Sequence, residues 1–213
     1  MKNVILILSI FIGIISLSGC KKGEMSEVEK ERTEYVKETV LDYGMEINTE
    51  VTKSTRDELN KDTEDVVSFG KKQLYELSCN KQEDEVINTI VYHLFENDKK
   101  GENEAEEVYN RLKDSASILP NSNSTEENDQ ETGNKLFTLR AENVSFPEYF
   151  DSAENVEIAN TGSTSNTSEL VIFLIYDAKK HEVVELTSWI ERLLENSDDT
   201  IENIMLDLGW IVN

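Results

Sequence analysis

The chain has little cysteine, little histidine, little proline and few basic residues, and the shortages close off whole classes of protein. Two cysteines, Cys20 and Cys79, in 213 residues cannot make a disulfide framework. The two histidines, His93 and His181, stand far apart, and neither has a His, Cys or Glu at the spacing of a zinc site such as His-Glu-x-x-His. No Gly-x-Ser-x-Gly elbow marks a nucleophilic serine, and there is no glycine-rich phosphate loop. The Asn and Asp runs near 97–101 and 128–133 miss the calcium-loop pattern, because Lys100 and Thr132 stand where a ligand should precede the glycine. Lysine and arginine number 21 against 44 aspartates and glutamates, a net charge of −23. Nucleic-acid binding needs a basic footprint and is excluded. No apolar run reaches the ~18–20 residues that cross a bilayer.

What is present begins at the N-terminus. Lys2 and the amine form a short positive region, and Val4 to Ile15 is apolar except for Ser9 and Gly13. That length fits the core of a signal peptide. Leu17-Ser18-Gly19-Cys20 follows. These four residues resemble the lipobox of bacterial lipoprotein precursors: a leucine, two small residues, then cysteine. The resemblance covers only the first twenty residues. It implies cleavage between Gly19 and Cys20, a thioether-linked diacylglycerol on Cys20, and a protein held on the extracytoplasmic face of the cell membrane. Two acyl chains anchor a protein stably where one holds it marginally. A plain secretory signal with an incidental cysteine is the alternative. With Cys20 lipidated, Cys79 has no intramolecular partner and reads as a small buried residue.

The rest of the chain divides by pattern into a tether at 20–25, a helical region at 26–119, a polar linker or loop at 120–134, and a small α+β region at 135–213. Ser26 with Glu29 forms a capping box that starts a helix, which Gly44 interrupts. Its apolar content is thin, and 48–60 is charged and weakly helical. Between 63 and 80, Val66, Val67, Gly70, Leu74 and Leu77 share one helical face. Between 84 and 97, Val86, Ile87, Ile90, Val91, Leu94 and Phe95 make a wider one, with His93 at its edge and Lys99-Lys100-Gly101 as its end. Asn103 with Glu106 opens a third helix, whose arc holds Ala105, Val108, Tyr109, Leu112, Ala116 and Leu119 before Pro120 stops it. Three amphipathic helices in a row predict a bundle.

Residues 121–134 contain no apolar side chain and predict a mobile connection. Lys135 to Phe146 alternates like a strand until Pro147, and Val156 to Ile158 reads as a short one. Glu169 to Asp177 is apolar on both faces, as a central strand is. Residues 181–187 fit either a return strand after a turn at 177–180, with His181 exposed in it, or a helix running to about 196. The Ser188/Glu191 capping box favours the hairpin, because it starts a helix later. Asp199 with Glu202 opens a last helix, which Gly209 ends, and Trp210 to Val212 packs down.

The expected fold class is therefore α+β: an N-terminal helical bundle-like region, a polar linker, then a small antiparallel sheet with C-terminal helices. No catalytic, cofactor-binding or metal-binding residue stands out. Tyr35, Tyr43, Tyr75, Tyr92 and Tyr109 recur through the helical region; they suit a peptide groove or ordinary half-buried positions. The composition suits a non-enzymatic protein that binds a protein or peptide partner beside its lipid anchor. An exported hydrolase-type enzyme with an acidic site, and an accessory or chaperone-like subunit of a membrane complex, are the alternatives.

Overall fold

A computed structural model describes residues 24–62, 70–83, 86–144, 168–191 and 200–210. The lipobox Leu17 to Cys20, the expected strand at 156–158, the loop at 161–167, residues 63–69 and the stretch 192–199 lie outside them. So do Ile211 and Val212.

The expected bundle is replaced by a seven-stranded antiparallel sheet with helices on both faces. In chain order the elements are α1 (Glu27–Asp42), β1 (Glu46–Thr52), α2 (Lys53–Asp62), β2 (Gln73–Glu83), β3 (Val86–Phe95), α3 (Lys99–Ser117), β4 (Ser122–Asn128), β5 (Lys135–Val144), β6 (Ser168–Asp177), β7 (Glu182–Glu191) and α4 (Thr200–Asp207). The strand order is β1-β2-β3-β7-β6-β5-β4. The β2–β3 pair replaces the two helices expected at 63–80 and 84–97. β3 is an inner strand with helices over both faces of the sheet: Ile90, Tyr92 and Leu94 pack on one face and Ile87 and Phe95 on the other, so it is apolar on both sides. A strand buried twice leaves a pattern that also fits a helix.

The polar linker is also corrected. Ser122 to Asn128 pairs in unbroken register with β5, and the turn beyond it is fixed by Asp129. The Asp129 Oδ1 accepts from Glu131 N at 2.8 Å, its Oδ2 accepts from Thr132 Oγ1 at 2.6 Å, and Gly133 supplies a φ of 78°. Polar side chains do not prevent pairing, because the ladder is made by the backbone.

Other local readings match the structure. Ser26 and Glu29 form the reciprocal cap of α1, with Ser26 N donating to Glu29 Oε2 at 2.6 Å. Gly44 takes a φ of 76° just after α1. The β6–β7 hairpin forms, tied by Asp177 Oδ1 accepting from the Lys179 and Lys180 amides at 3.0 Å each. Ser188 is inside β7 rather than capping a helix. The arc of α3 is as expected, but the helix starts at Asp98, whose Oδ1 accepts from Gly101 N at 2.7 Å. Lys99-Lys100-Gly101 thus opens α3 instead of ending a helix before it.

Alternation sorts the side chains. On one face α1, α4 and Trp210 cover Tyr75, Leu77, Cys79, Ile90, Tyr92, Leu94, Val184 and Leu186. On the other, α3 covers the β5–β6 half through Phe137, Leu139, Leu170, Ile172, Leu174 and Tyr176. Cys79 is fully buried beside Met45, and burial pushes its thiol up to about 12, which makes it inert. None of the helices among the described residues is long and apolar enough to cross a membrane.

Candidate functional site

The two expected candidate features are not brought together by the fold. Tyr75 and Tyr92 are buried on one face of the sheet and Tyr109 on the other, so they line no common groove. His93 is in β3, not on a helix; its Nδ1 is 2.9 Å from Gln73 Nε2 and 3.4 Å from Glu76 Oε2. His181 is buried, not exposed, with φ at 55° and its Nδ1 donating to the Glu96 carbonyl oxygen at 2.8 Å. Among the described residues, no three His, Cys, Asp or Glu side chains are placed to hold a metal ion.

A recess with binding geometry among the described residues lies elsewhere, where the β4–β5 hairpin meets the C-terminal segment. One lateral row crosses the whole sheet on the α1/α4 face: Glu127, Leu136, Ile175, Val184, Tyr92, Leu77 and Glu50, one from each strand. The helices cover the far end of this row. At the near end a cavity of about 330 Å³ remains, floored by Leu136 and Ile175 and walled by Gly209 and Trp210. The exposed Glu127 and Asp129 and the buried Asp177 also line it. Lys135 also borders it, but its ammonium reaches to the opposite face, bonded to Glu106 at 2.7 Å and 5.7 Å from the Tyr109 ring centre.

A buried carboxylate sets the wall. Glu182 is fully buried, one strand position beyond the hairpin turn. Arg32 of α1 grips it with two bonds, Nε to Oε1 at 2.8 Å and Nη2 to Oε2 at 3.0 Å. Tyr92 donates its hydroxyl at 3.0 Å and the Trp210 indole N–H donates at 3.3 Å. Burial alone would lower the Arg32 guanidinium, but its hydrogen bond and charge contact with Glu182 outweigh that and hold it above its ordinary value. Trp210 is further stacked on Tyr92, with ring centres 6.0 Å apart. The indole therefore faces the cavity in one orientation, held from behind by hydrogen bond, stacking and the Leu208–Gly209 turn.

The lining carboxylates differ in freedom. Asp177 accepts from two amides and from Lys180 Nζ at 2.8 Å. Asp129 is held in its turn, and the Thr132 hydroxyl with the Glu131 amide keeps it below its ordinary value. Glu127 is exposed, and its carboxylate makes no hydrogen bond or ion pair among the described residues. An apolar floor, an indole wall and a negative rim with one unpaired carboxylate fit a cationic group on an apolar stem, the shape of a lysine or arginine side chain.

Sequence reasoning gives none of the residues lining this recess a binding role; it marks Gly209 as a helix end and Trp210 as packed down. The Asp129-x-x-Thr-Gly133 turn was the one local signal that could have placed Glu127 on a strand. Compared with protein-family models, with characterised proteins and with solved structures, the chain matches none.

Proposed function

We propose that this is a lipid-anchored, extracytoplasmic, non-enzymatic protein that holds a positively charged protein or peptide segment close to the membrane. The cleft at Glu127, Leu136, Ile175 and Trp210 carries this reading. It is apolar below and acidic at the lip, in a chain of net charge −23. The net charge raises the encounter rate with cationic partners, and the preformed wall reduces the ordering cost of binding. The Leu17-Ser18-Gly19-Cys20 sequence supports the anchor, and Lys21 to Met25 is a tether of only a few residues.

Two measurements test it. Mass spectrometry of the membrane fraction is expected to find an acylated N-terminal Cys20; a soluble protein with Cys20 as a free thiol would remove the anchor. Full-length protein in detergent, titrated with a lysine-rich peptide, is expected to bind with an affinity that falls as salt is raised, and Glu127→Lys is expected to weaken it at least tenfold. Binding absent in the native protein, or unchanged by Glu127→Lys, would remove the cleft from the reading.

A further inference from the structure

We propose that β4 is a docking edge, and that the partner is an extended basic segment which adds to the sheet as an eighth strand. The inference rests on the binding reading above and names how the partner is held.

The two ends of the sheet are treated differently. At the β1 end the register slips between Ile47 and Thr49, and the strand runs straight into α2. A bulge and an adjoining helix are usual ways of closing an edge. β4 has neither. Its seven residues pair with β5 without a slip, it contains no proline or lysine, and residues 123–128 are all exposed.

The hydrogen-bond phase shows which groups are free. Glu142 N donates to Asn121 O and Asp129 N donates to Asn134 O, both directly opposite pairs in the β4–β5 register. Bonded pairs alternate with unbonded ones along an antiparallel ladder. Residues 123, 125 and 127 therefore spend their backbone groups on β5. Those of Ser122, Ser124, Glu126 and Asn128 point outward, a ladder of four N–H and four C=O groups. Among the described residues no strand pairs there.

Charge selects the occupant. A second copy would lay a strand with two glutamates and no lysine or arginine along this edge, which adds like charge and leaves Glu127 without a counter-charge. A basic strand meets the opposite case. Glu126 is already paired with Lys113, at 3.0 Å, on the α3 face. Glu127 is unpaired on the other face, at the mouth of the cavity. A lysine or arginine on that face of the incoming strand lies beside Glu127 and reaches over Leu136 towards Trp210. Backbone bonds supply affinity without sequence preference, and the cavity supplies selection at one alternate position.

The probe is a capped heptapeptide alternating lysine and valine, titrated into full-length protein in detergent. Ser124→Pro tests the edge. It removes one outward N–H and leaves the 123↔140 and 125↔138 pairs intact, so the strand itself is expected to persist. Expected results are a loss of at least tenfold in affinity for Ser124→Pro at an unchanged melting temperature, and slowed amide exchange at 122, 124, 126 and 128 when the native protein binds peptide. The exchange measurement uses the native chain and decides the matter even if the proline variant fails to fold. Undiminished binding by a folded Ser124→Pro, or binding with no added protection in β4, would overturn strand addition and leave the cleft reading standing. Equal binding of a glutamate–valine peptide, or concentration-dependent dimerisation through β4, would overturn the basic partner. No binding of the lysine–valine peptide by the native protein would take down both readings.

Discussion

Glu182 shows how one side chain can fix a site it does not enter. A carboxylate with no exposure is tolerated only when its lone pairs are filled, and Arg32, Tyr92 and Trp210 fill them from three separate parts of the chain. Glu182→Leu strips Arg32 of its partner and is expected to cost about 3–5 kcal/mol in urea denaturation. Arg32→Leu/Glu182→Leu together should cost clearly less than the sum of the two single changes, because no buried charge is then left alone. Additive losses would mean that the pair acts independently. Glu185, on the opposite face, makes a contrasting prediction. Burial raises its carboxyl above the ordinary range, only partly offset by the charge of His93. A raised folded value adds stability below the unfolded value and loses it as pH rises through the folded one. Glu185→Gln is therefore expected to stabilise the protein at pH 8 relative to the native chain, with the gap closing towards pH 4. Denaturant midpoints across that range check it, and a gap independent of pH would contradict the burial argument. Neither glutamate was legible in the sequence. With 44 carboxylates present, composition cannot mark Glu182, which the fold buries fully, or Glu185, which it leaves half-buried.

The elements read best were those whose signals are local. The Ser26–Glu29 cap, the arc of α3 and the hairpin at 177–182 depend on side chains within a few positions of each other, and each forms. β2 and β3 depended on distant neighbours. Val86, Ile87, Thr89, Ile90 and Val91 are β-branched, and that was the better guide than their helical spacing. The spacing arose because Ile90, Tyr92 and Leu94 face α1 and α4 while Ile87 and Phe95 face α3. β4 failed in the opposite direction: with no apolar residue, nothing in its pattern announces a strand whose partner is β5. At the start of α3 a glycine was read as a stop, whereas the structure needs it for close approach. A Cβ on Gly101 would lie 1.9 Å from the Glu96 carbonyl oxygen, which is backbone and cannot swing aside. Alanine is the better helix former by ~1 kcal/mol, so propensity alone predicts that Gly101→Ala stabilises. The contact predicts the reverse. Thermal denaturation is expected to show a lower melting temperature for Gly101→Ala, and an increase would mean that the β3–α3 junction has room for a methyl group.

At the scale of the molecule, the sheet order explains why a division near 120–134 looked natural in the sequence and what the fold does across it. Composition does change there, from charged and helical in pattern to polar and then strongly apolar. Yet the strands on either side are interleaved: β3 pairs with β7 along nine positions, β4 pairs with β5, and α1 rests beside α4. The Arg32–Glu182 pair crosses the same divide. None of this is visible in one sequence, because strand order is set by which edges meet and not by any local pattern. The consequence can be measured by inserting a site-specific protease sequence after Gln130, in the exposed part of the Asp129 turn. Cleavage there separates β1 to β4 from β5 to β7 in the chain but breaks neither the β3–β7 nor the β4–β5 ladder. The two fragments are expected to co-elute in size-exclusion chromatography and to unfold in a single transition at a lower midpoint, since the cut frees chain entropy without removing a packed surface. Fragments that separate and melt independently would show that each side carries its own core, and would contradict a sheet held together by the central β3–β7 pair.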